Sequence, residues 1–260
     1  MHNIAYHIPV MLEECLSGLN IDPNGTYIDL TFGGGGHSRE ILKKLDKGHL
    51  YGFDQDPDAE KNAPDDEKFT FVMANFRDLR RYLKIYGVEK VDGILADLGV
   101  SSHQIDEPSR GFSTRFEGKL DMRMSQSGDV SATILNTYEE EALHKIFGIY
   151  GEIRNAKTLA RAIVSTRANI PFESIPDFKN LLDKYAPRGK YAKYSAQVFQ
   201  ALRIEVNQEM AALEEMLEQS TKLLKSEGRL VIMSYHSLED RMVKNIMTKG
   251  KLHGELEKDF

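Results

Sequence analysis

Within the first hundred positions, residues at four places have the type and spacing to do chemistry. "YIDLTFGGGGHS" (27–38) carries an apolar segment with one carboxylate into four consecutive glycines, Gly33 to Gly36. Glycine leaves the backbone bare, so a ligand can come to contact distance, and it tolerates dihedrals that a Cβ forbids. Asp54 stands where a carboxylate can accept bonds from both hydroxyls of a ribose. Phe76, in "ANF", offers a ring to an adenine, and Asp97 ends "VDGILAD". The dinucleotide fingerprint G-x-G-x-x-G fails, because Ser38 holds the sixth position counted from Gly33, and a Walker lysine is missing. Singly, these are also the marks of a turn, of strand-end aspartates capping turns and of a loop phenylalanine covering a core. In order along the chain they point to a nucleoside cofactor without phosphates, and S-adenosylmethionine fits that description.

Such groups need a scaffold that brings them to one edge. "TYIDLTF" (26–32), "HLYGFD" (49–54), "FTFVM" (69–73) and "VDGILADL" (91–98) read as strands. Ser38 is placed to cap a helix presenting Ile41, Leu42 and Leu45, and "RDLRRYLKIYG" presents Leu79, Tyr82, Leu83 and Tyr86 on one face. Strands alternating with helices at this spacing predict a parallel sheet covered on both sides, with ligands beyond the carboxyl ends of the strands.

The alternation stops after Ser102. Residues 101–129 form a polar connection too long for a casual turn, and loops of that length are usually functional. A capping box of Thr137 with Glu140 then opens a helix bearing Leu143, Ile146 and Phe147, which ends at Gly151. Further helices carry Leu159, Ala160 and Ile163, then Phe178, Leu181 and Leu182. A long amphipathic helix over about 195–225 leads into a fifth strand, "GRLVIMSYHS", and a last helix begins after a Ser237 cap. The expected organisation is an α/β core over 1–105 and 196–260, with a helical insertion over 106–195.

Composition limits the rest. The 260 residues carry a net charge of -6, with 41% hydrophobic and 28% charged residues, a globular balance that excludes low-complexity or collagen-like chains. No apolar run is long enough to span a membrane and the N-terminus lacks the pattern of a secretion signal, so the expected location is cytoplasmic, without a membrane partner. Cys15 alone excludes an internal disulfide and a multi-cysteine zinc site, and no metal site is expected. The acidic average hides a basic stretch: 154–193 holds nine Lys or Arg against three acids, a local +6. Within it, "PRGKYAKYS" interleaves Arg188, Lys190 and Lys193 with Tyr191 and Tyr194, types that suit phosphates and stacked bases.

"HIPVMLEECLSGL", "YIDLTFGGGGHS", "DGILADLGVSS.Q.D...RGFS", "LDMRM", "YGEIRNAKTLARAIV", "FQALRIEVNQE" and "SYHSLEDRMVK" resemble, in order and spacing, the bacterial RsmH (MraW) family from His7 to about Lys244. The resemblance implies a 16S ribosomal RNA cytosine-N4 methyltransferase, acting on the small ribosomal subunit or its RNA in the decoding region. It implies a Rossmann-like class I methyltransferase core interrupted by a helical substrate domain. It places the S-adenosylmethionine site on Gly35, Gly36, His37, Asp54, Phe76, Asp97 and Gln104. Family members continue through two more strands and a basic motif, so Phe260 reads as a truncation and the last core strands as missing.

For transfer to an exocyclic amine, acceptors near the N4 hydrogens favour a nucleophilic nitrogen. DNA amino-methyltransferases use an Asp/Ser/Asn-Pro-Pro-aromatic motif; here "DLGV" keeps the acid and lacks both prolines and the aromatic. Asp97 and the Leu98 carbonyl are therefore the expected acceptors, with Phe112 or Tyr235 as the ring that stacks on the base. Two other readings stay open, a nicotinamide oxidoreductase and an RNA-binding protein that keeps a vestigial cofactor pocket. The oligomeric state is left open, with a homodimer among the options.

Overall fold

The structure, a computed structural model, describes residues 9–252 and divides the chain into two compact units, one of residues up to 99 with those from 210 on, the other 100–209. Two points of the sequence reading, the His7–Ile8 start of the first motif and the end at Phe260, lie outside the described residues.

The first unit opens with helix α1 (Leu12–Leu19) and continues through strand β1 (Thr26–Asp29), helix α2 (Gly36–Lys44), strands β2 (His49–Asp54) and β3 (Phe69–Met73), helix α3 (Leu79–Ile85) and strand β4 (Val91–Asp97). β2 and β3 have the bounds that their β-branched and aromatic runs predict. β1 is shorter than its run. Past Asp29 the backbone splits its bonds between neighbours, Leu30 N–H donating to Leu95 on one side and Phe32 N–H to Phe53 on the other. β1 is thereby the strand from which the chain fans out.

The second unit is helical: α4 (Ser102–Asp106), α5 (Ser131–Thr137), α6 (Glu140–Ile149), α7 (Ala156–Arg167), α8 (Ile175–Tyr185) and α9 (Tyr191–Val206). Leu143, Phe147, Leu159, Phe178, Phe199 and Leu202 are members of one buried cluster. Because α9 contributes Val198, Phe199 and Leu202 to that cluster, the unit extends past the 106–195 stretch read from sequence. The connection before α5 is pinned by buried Arg110, whose Nη2 donates to the carbonyls of Arg123 and Met124, each at 3.0 Å. The Thr137 capping box does not form. α5 ends at Thr137, whose hydroxyl donates to Thr133 O, and α6 starts after Glu139. A capping box does form at Ser174 with Asp177, ahead of α8.

The first unit resumes with α10 (Glu209–Leu223), β5 (Leu224–Met233) and α11 (Ser237–Lys249). The expected single helix over 195–225 is thus two, parted at Asn207 and Gln208, where Gln208 takes a left-handed φ of 50°. Asn207 causes the break: its side chain donates to Met122 O and accepts from Met124 N–H, both at 2.8 Å, trading helix continuity for a clamp on the 122–124 segment.

All five strands pair in parallel, in the order β3-β2-β1-β4-β5. Alternate residues of the inner strands feed opposite faces: Ile28 and Ile94 pack with Leu213 and Leu217, while Tyr27 and Leu95 pack with Cys15, Leu19 and Ile41. This is an α/β, Rossmann-like fold. The strand order reverses direction between β1 and β4, so their carboxyl ends flank the switch-point crevice where such sheets bind ligands. The glycine loop and Asp97 stand there. Among the described residues no helix is long and apolar enough to cross a membrane.

Candidate active site

The glycine loop leaves β1 at Asp29, and its bareness is required at two positions. Gly35 is the N-cap of α2 with φ 72°, and a Cβ there would meet the Phe32 ring at 2.8 Å. A Cβ on Gly36 would meet Pro9 at 2.5 Å, whereas Gly34 faces open space. Ser38 is therefore not the cap that its type predicts. It lies inside α2, and its hydroxyl donates to Asp29 Oδ2 at 2.7 Å, while Thr31 N–H donates to Oδ1 at 3.1 Å. Asp29 is only 2% exposed, and burial raises its pKa against these two bonds. It braces the loop from below.

Asp54, at the end of β2, braces the loop from the side. Its Oδ2 accepts from Gly33 N–H at 2.7 Å and its Oδ1 from Asp56 N–H at 2.8 Å. A carboxylate has about four acceptor sites, so each oxygen keeps a lone pair beyond these bonds. Burial outweighs the two amides and lifts the Asp54 pKa to about 6. Phe76 begins a short 3-10 turn after β3 and is half-buried against the core. His37 is buried, with Nε2 3.1 Å from Val10 O, so the ring ties the start of α2 to the segment before α1.

Asp97 ends β4. Its N–H donates to the Thr31 hydroxyl at 2.7 Å, and its Oδ1 accepts from the Tyr235 phenol at 2.5 Å. Burial raises its pKa, with the Tyr235 bond and the neighbouring His37 pulling the other way. Tyr235 follows β5 and is 55% exposed; its own pKa is pushed up by burial and by Asp97. Its backbone is held by Glu239, whose Oε2 accepts from Tyr235 N–H at 3.0 Å. The N-cap of α11 is His236, accepting from Glu239 N–H, rather than Ser237. An imidazole seldom caps a helix, which is why serine looked the better candidate.

The other expected residues belong to the helical unit. Gln104 is buried and closes a capping box, Oε1 accepting from Ser101 N–H at 3.1 Å while its own N–H donates to Ser101 Oγ at 3.2 Å. Phe112 is half-buried against the helical core, 5.8 Å from the Arg110 guanidinium, so part of its ring is committed to packing. Arg188, Lys190 and Lys193 are exposed. The pattern of interleaved rings fails at Tyr194, which is 5% exposed and packs in the core, leaving Tyr191 as the accessible ring.

Sequence reasoning missed Asp29 with Ser38, Thr31 and Glu239. The lone carboxylate in "YIDLTF" was the available signal, since a charged residue in a central strand needs a buried partner.

The sequence profile of the MraW methylase family matches residues 4–258. The ribosomal RNA small subunit methyltransferase H of Cytophaga hutchinsonii is 60% identical over 258 residues, 98% of this chain and 87% of that protein. The protein of that name from Phocaeicola vulgatus is 58% identical over 257 residues, 98% of this chain and 84% of that protein.

Proposed function

The chain belongs to the MraW methylase family, and from that premise we propose that it methylates the exocyclic N4 of a cytidine in 16S ribosomal RNA of the small subunit, with S-adenosylmethionine as donor. The observation that carries the reading is the 60% identity to a small-subunit RNA methyltransferase along 98% of the chain. Membership removes the basis for an oxidoreductase. A protein that binds RNA without turnover remains an outcome of the assay.

The residues present suit the donor. The spare acceptor sites of Asp54 fit the hydroxyls of a ribose, the open face at Gly34 admits a ligand against bare backbone, and the half-buried Phe76 lies beyond β3 where an adenine would be covered. Gly35, Gly36 and His37 shape that wall, and Gln104 is assigned with them from the family pattern. When bound, the donor supplies a methyl group already activated on a sulfonium. The chain's own task is placement and proton handling. Cytosine N4 must shed one proton as its nitrogen gains the methyl carbon. Asp97 Oδ1 is held by Tyr235, so we assign Oδ2 as the acceptor for one N4 hydrogen and as the atom that keeps the departing proton, with the second hydrogen left to the Leu98 carbonyl or to a side chain on the other side of the base. A carboxyl whose pKa is raised by burial is a better base than an exposed one.

The deciding experiment incubates the protein and labelled donor with undermethylated small subunits and digests the RNA to nucleosides. Label in N4-methylcytidine is the expected result; donor binding with no labelled cytidine would leave only the RNA-binding reading.

Arg188, Lys190 and Lys193 are proposed to contact phosphates. Reversing all three to Glu is expected to weaken RNA binding about tenfold and to flatten the plot of log affinity against log salt by about two, since each lost phosphate contact removes roughly 0.7–0.9 from the slope. An unchanged slope would assign these charges to a solvated face.

A further inference from the structure

Beside the Asp97–Tyr235 pair, the first unit holds a cavity of about 260 Å³ between the start of α1 and the end of β5. Ligand sites for drug-sized molecules occupy roughly 300–1,000 Å³, so this one is the size for a smaller guest, such as one single ring. Met11, Cys15 and Met233 are among its lining residues, and Cys15 Sγ lies 3.6 Å from Met233 Sδ. Thioether and thiol sulfur pack well against the faces and edges of flat rings. The polar groups in the lining are few: Glu14, Ser234 and Tyr235.

Two of its walls are tied to the groups argued above. Val10 holds His37 through its carbonyl, and Tyr235 holds Asp97 through its phenol. The cavity is therefore joined at one side to the glycine loop and at the other to the proposed proton acceptor. Met11 also takes a left-handed φ of 50° while 54% exposed, a conformation unfavourable for a side chain with a Cβ and one that accumulates at ligand sites.

We infer that this cavity receives the target cytosine base, with Glu14 accepting a hydrogen bond from its amine edge. This rests on the reading of the chain as a cytosine-N4 methyltransferase. An enzyme acting on a base takes it out of the stack into a pocket that reads its pairing edge. A carboxylate accepts from the amine of cytosine and meets only another acceptor at the corresponding oxygen of uracil, so Glu14 favours cytosine. Cys15, whose thiol is pushed up to about 11 chiefly by burial, stays neutral and acts as lining.

The test uses Val10→Trp, at a position 47% exposed where a large ring can be added, and Glu14→Gln, on the exposed side of α1. Steady-state kinetics on undermethylated small subunits and donor binding by calorimetry are measured for both. Val10→Trp is expected to lower kcat/KM for the subunit about 20-fold and Glu14→Gln to raise its KM about tenfold, with donor Kd within twofold of wild type in each. If Val10→Trp weakens donor binding and spares the subunit KM, the cavity holds part of the donor and the inference is overturned. Wild-type kinetics in both variants overturn it as well. Should Val10→Trp fail to fold, Glu14→Gln decides alone. A wild-type protein that binds donor but methylates no cytidine overturns the function first and this inference with it, an outcome distinct from an active enzyme with indifferent variants.

Discussion

Asp97→Ala is expected to lower methyl transfer to small-subunit RNA on the order of a thousandfold, the upper end of the effect of removing one aimed polar group from a reacting centre. The expectation rests on two losses in one substitution. N4 loses an acceptor that turns its lone pair towards the methyl carbon, and the proton it sheds loses its destination. Asp97→Asn keeps the volume and one acceptor oxygen but cannot take the proton, so it is expected to retain little more activity. The fold should survive both changes, because the contact that fixes β4 to Thr31 is made by the Asp97 backbone N–H and not by its carboxylate. Asp97 also stands among the proposed donor contacts, so donor Kd is measured beside kcat. A Kd raised more than tenfold with kcat intact at saturating donor would move Asp97 from the chemistry to donor binding.

Tyr235 gives a second handle on the same atom. The phenol donates to Asp97 Oδ1 and favours its ionised form. Tyr235→Phe keeps the ring and deletes that bond, so the Asp97 pKa should rise further. The acid limb of kcat/KM, where an essential base is being protonated, is then expected to move to higher pH. A ring that serves only to stack on the base would leave the limb in place, and the pH profile separates the two roles.

What the sequence discloses and what it hides divide along physical lines. β2 and β3 were legible to the residue: β2, buried on both faces of a parallel sheet, shows a continuous apolar and aromatic run, and β3, part-buried at the sheet edge, keeps a β-branched and aromatic one. The strand-end order of glycines, Asp54, Phe76 and Asp97 was legible for the same reason, since it follows from the alternation of elements. Features decided by one side chain in three dimensions were not. The hydrophobic period runs on through 195–225 because α9 and α10 are both amphipathic, and the break at Asn207 depends on a segment more than 80 residues earlier, at Met122 and Met124. Ser38 has the type of a cap, yet buried Asp29 claims its hydroxyl. Tyr194 falls in a basic run, yet the helical period of α9 turns it inward with Val198. In each case local preference was overridden by a buried partner that only the fold supplies.

Asp54→Ala is expected to weaken donor binding on the order of a hundredfold, since hydrogen bonds to a charged group contribute roughly 1.5–3 kcal/mol each and the ribose would lose two. Gly33 N–H would lose its acceptor as well, so part of the effect is a looser glycine loop. The pH dependence separates these contributions. With its pKa near 6 in the free protein, Asp54 is ionised at pH 8 and largely protonated at pH 5. Hydroxyl donors favour the anion, so the bound pKa lies lower. Donor affinity should therefore be flat above about pH 7 and fall as pH drops through 6, approaching tenfold per unit. Asp54→Asn should abolish that fall, whereas a variant that merely loosened the loop would keep it. The same shift acts on stability with the opposite sense. Because the folded pKa lies above the unfolded value near 3.8, the fold binds the proton more tightly, and this contribution is present below about pH 4 and lost as pH rises through 6. Ionised Asp54 is then a cost that the ribose hydroxyls offset, so the rise in Tm on adding donor is expected to be larger at pH 8 than at pH 5. Equal shifts at the two pH values would remove Asp54 from the donor site.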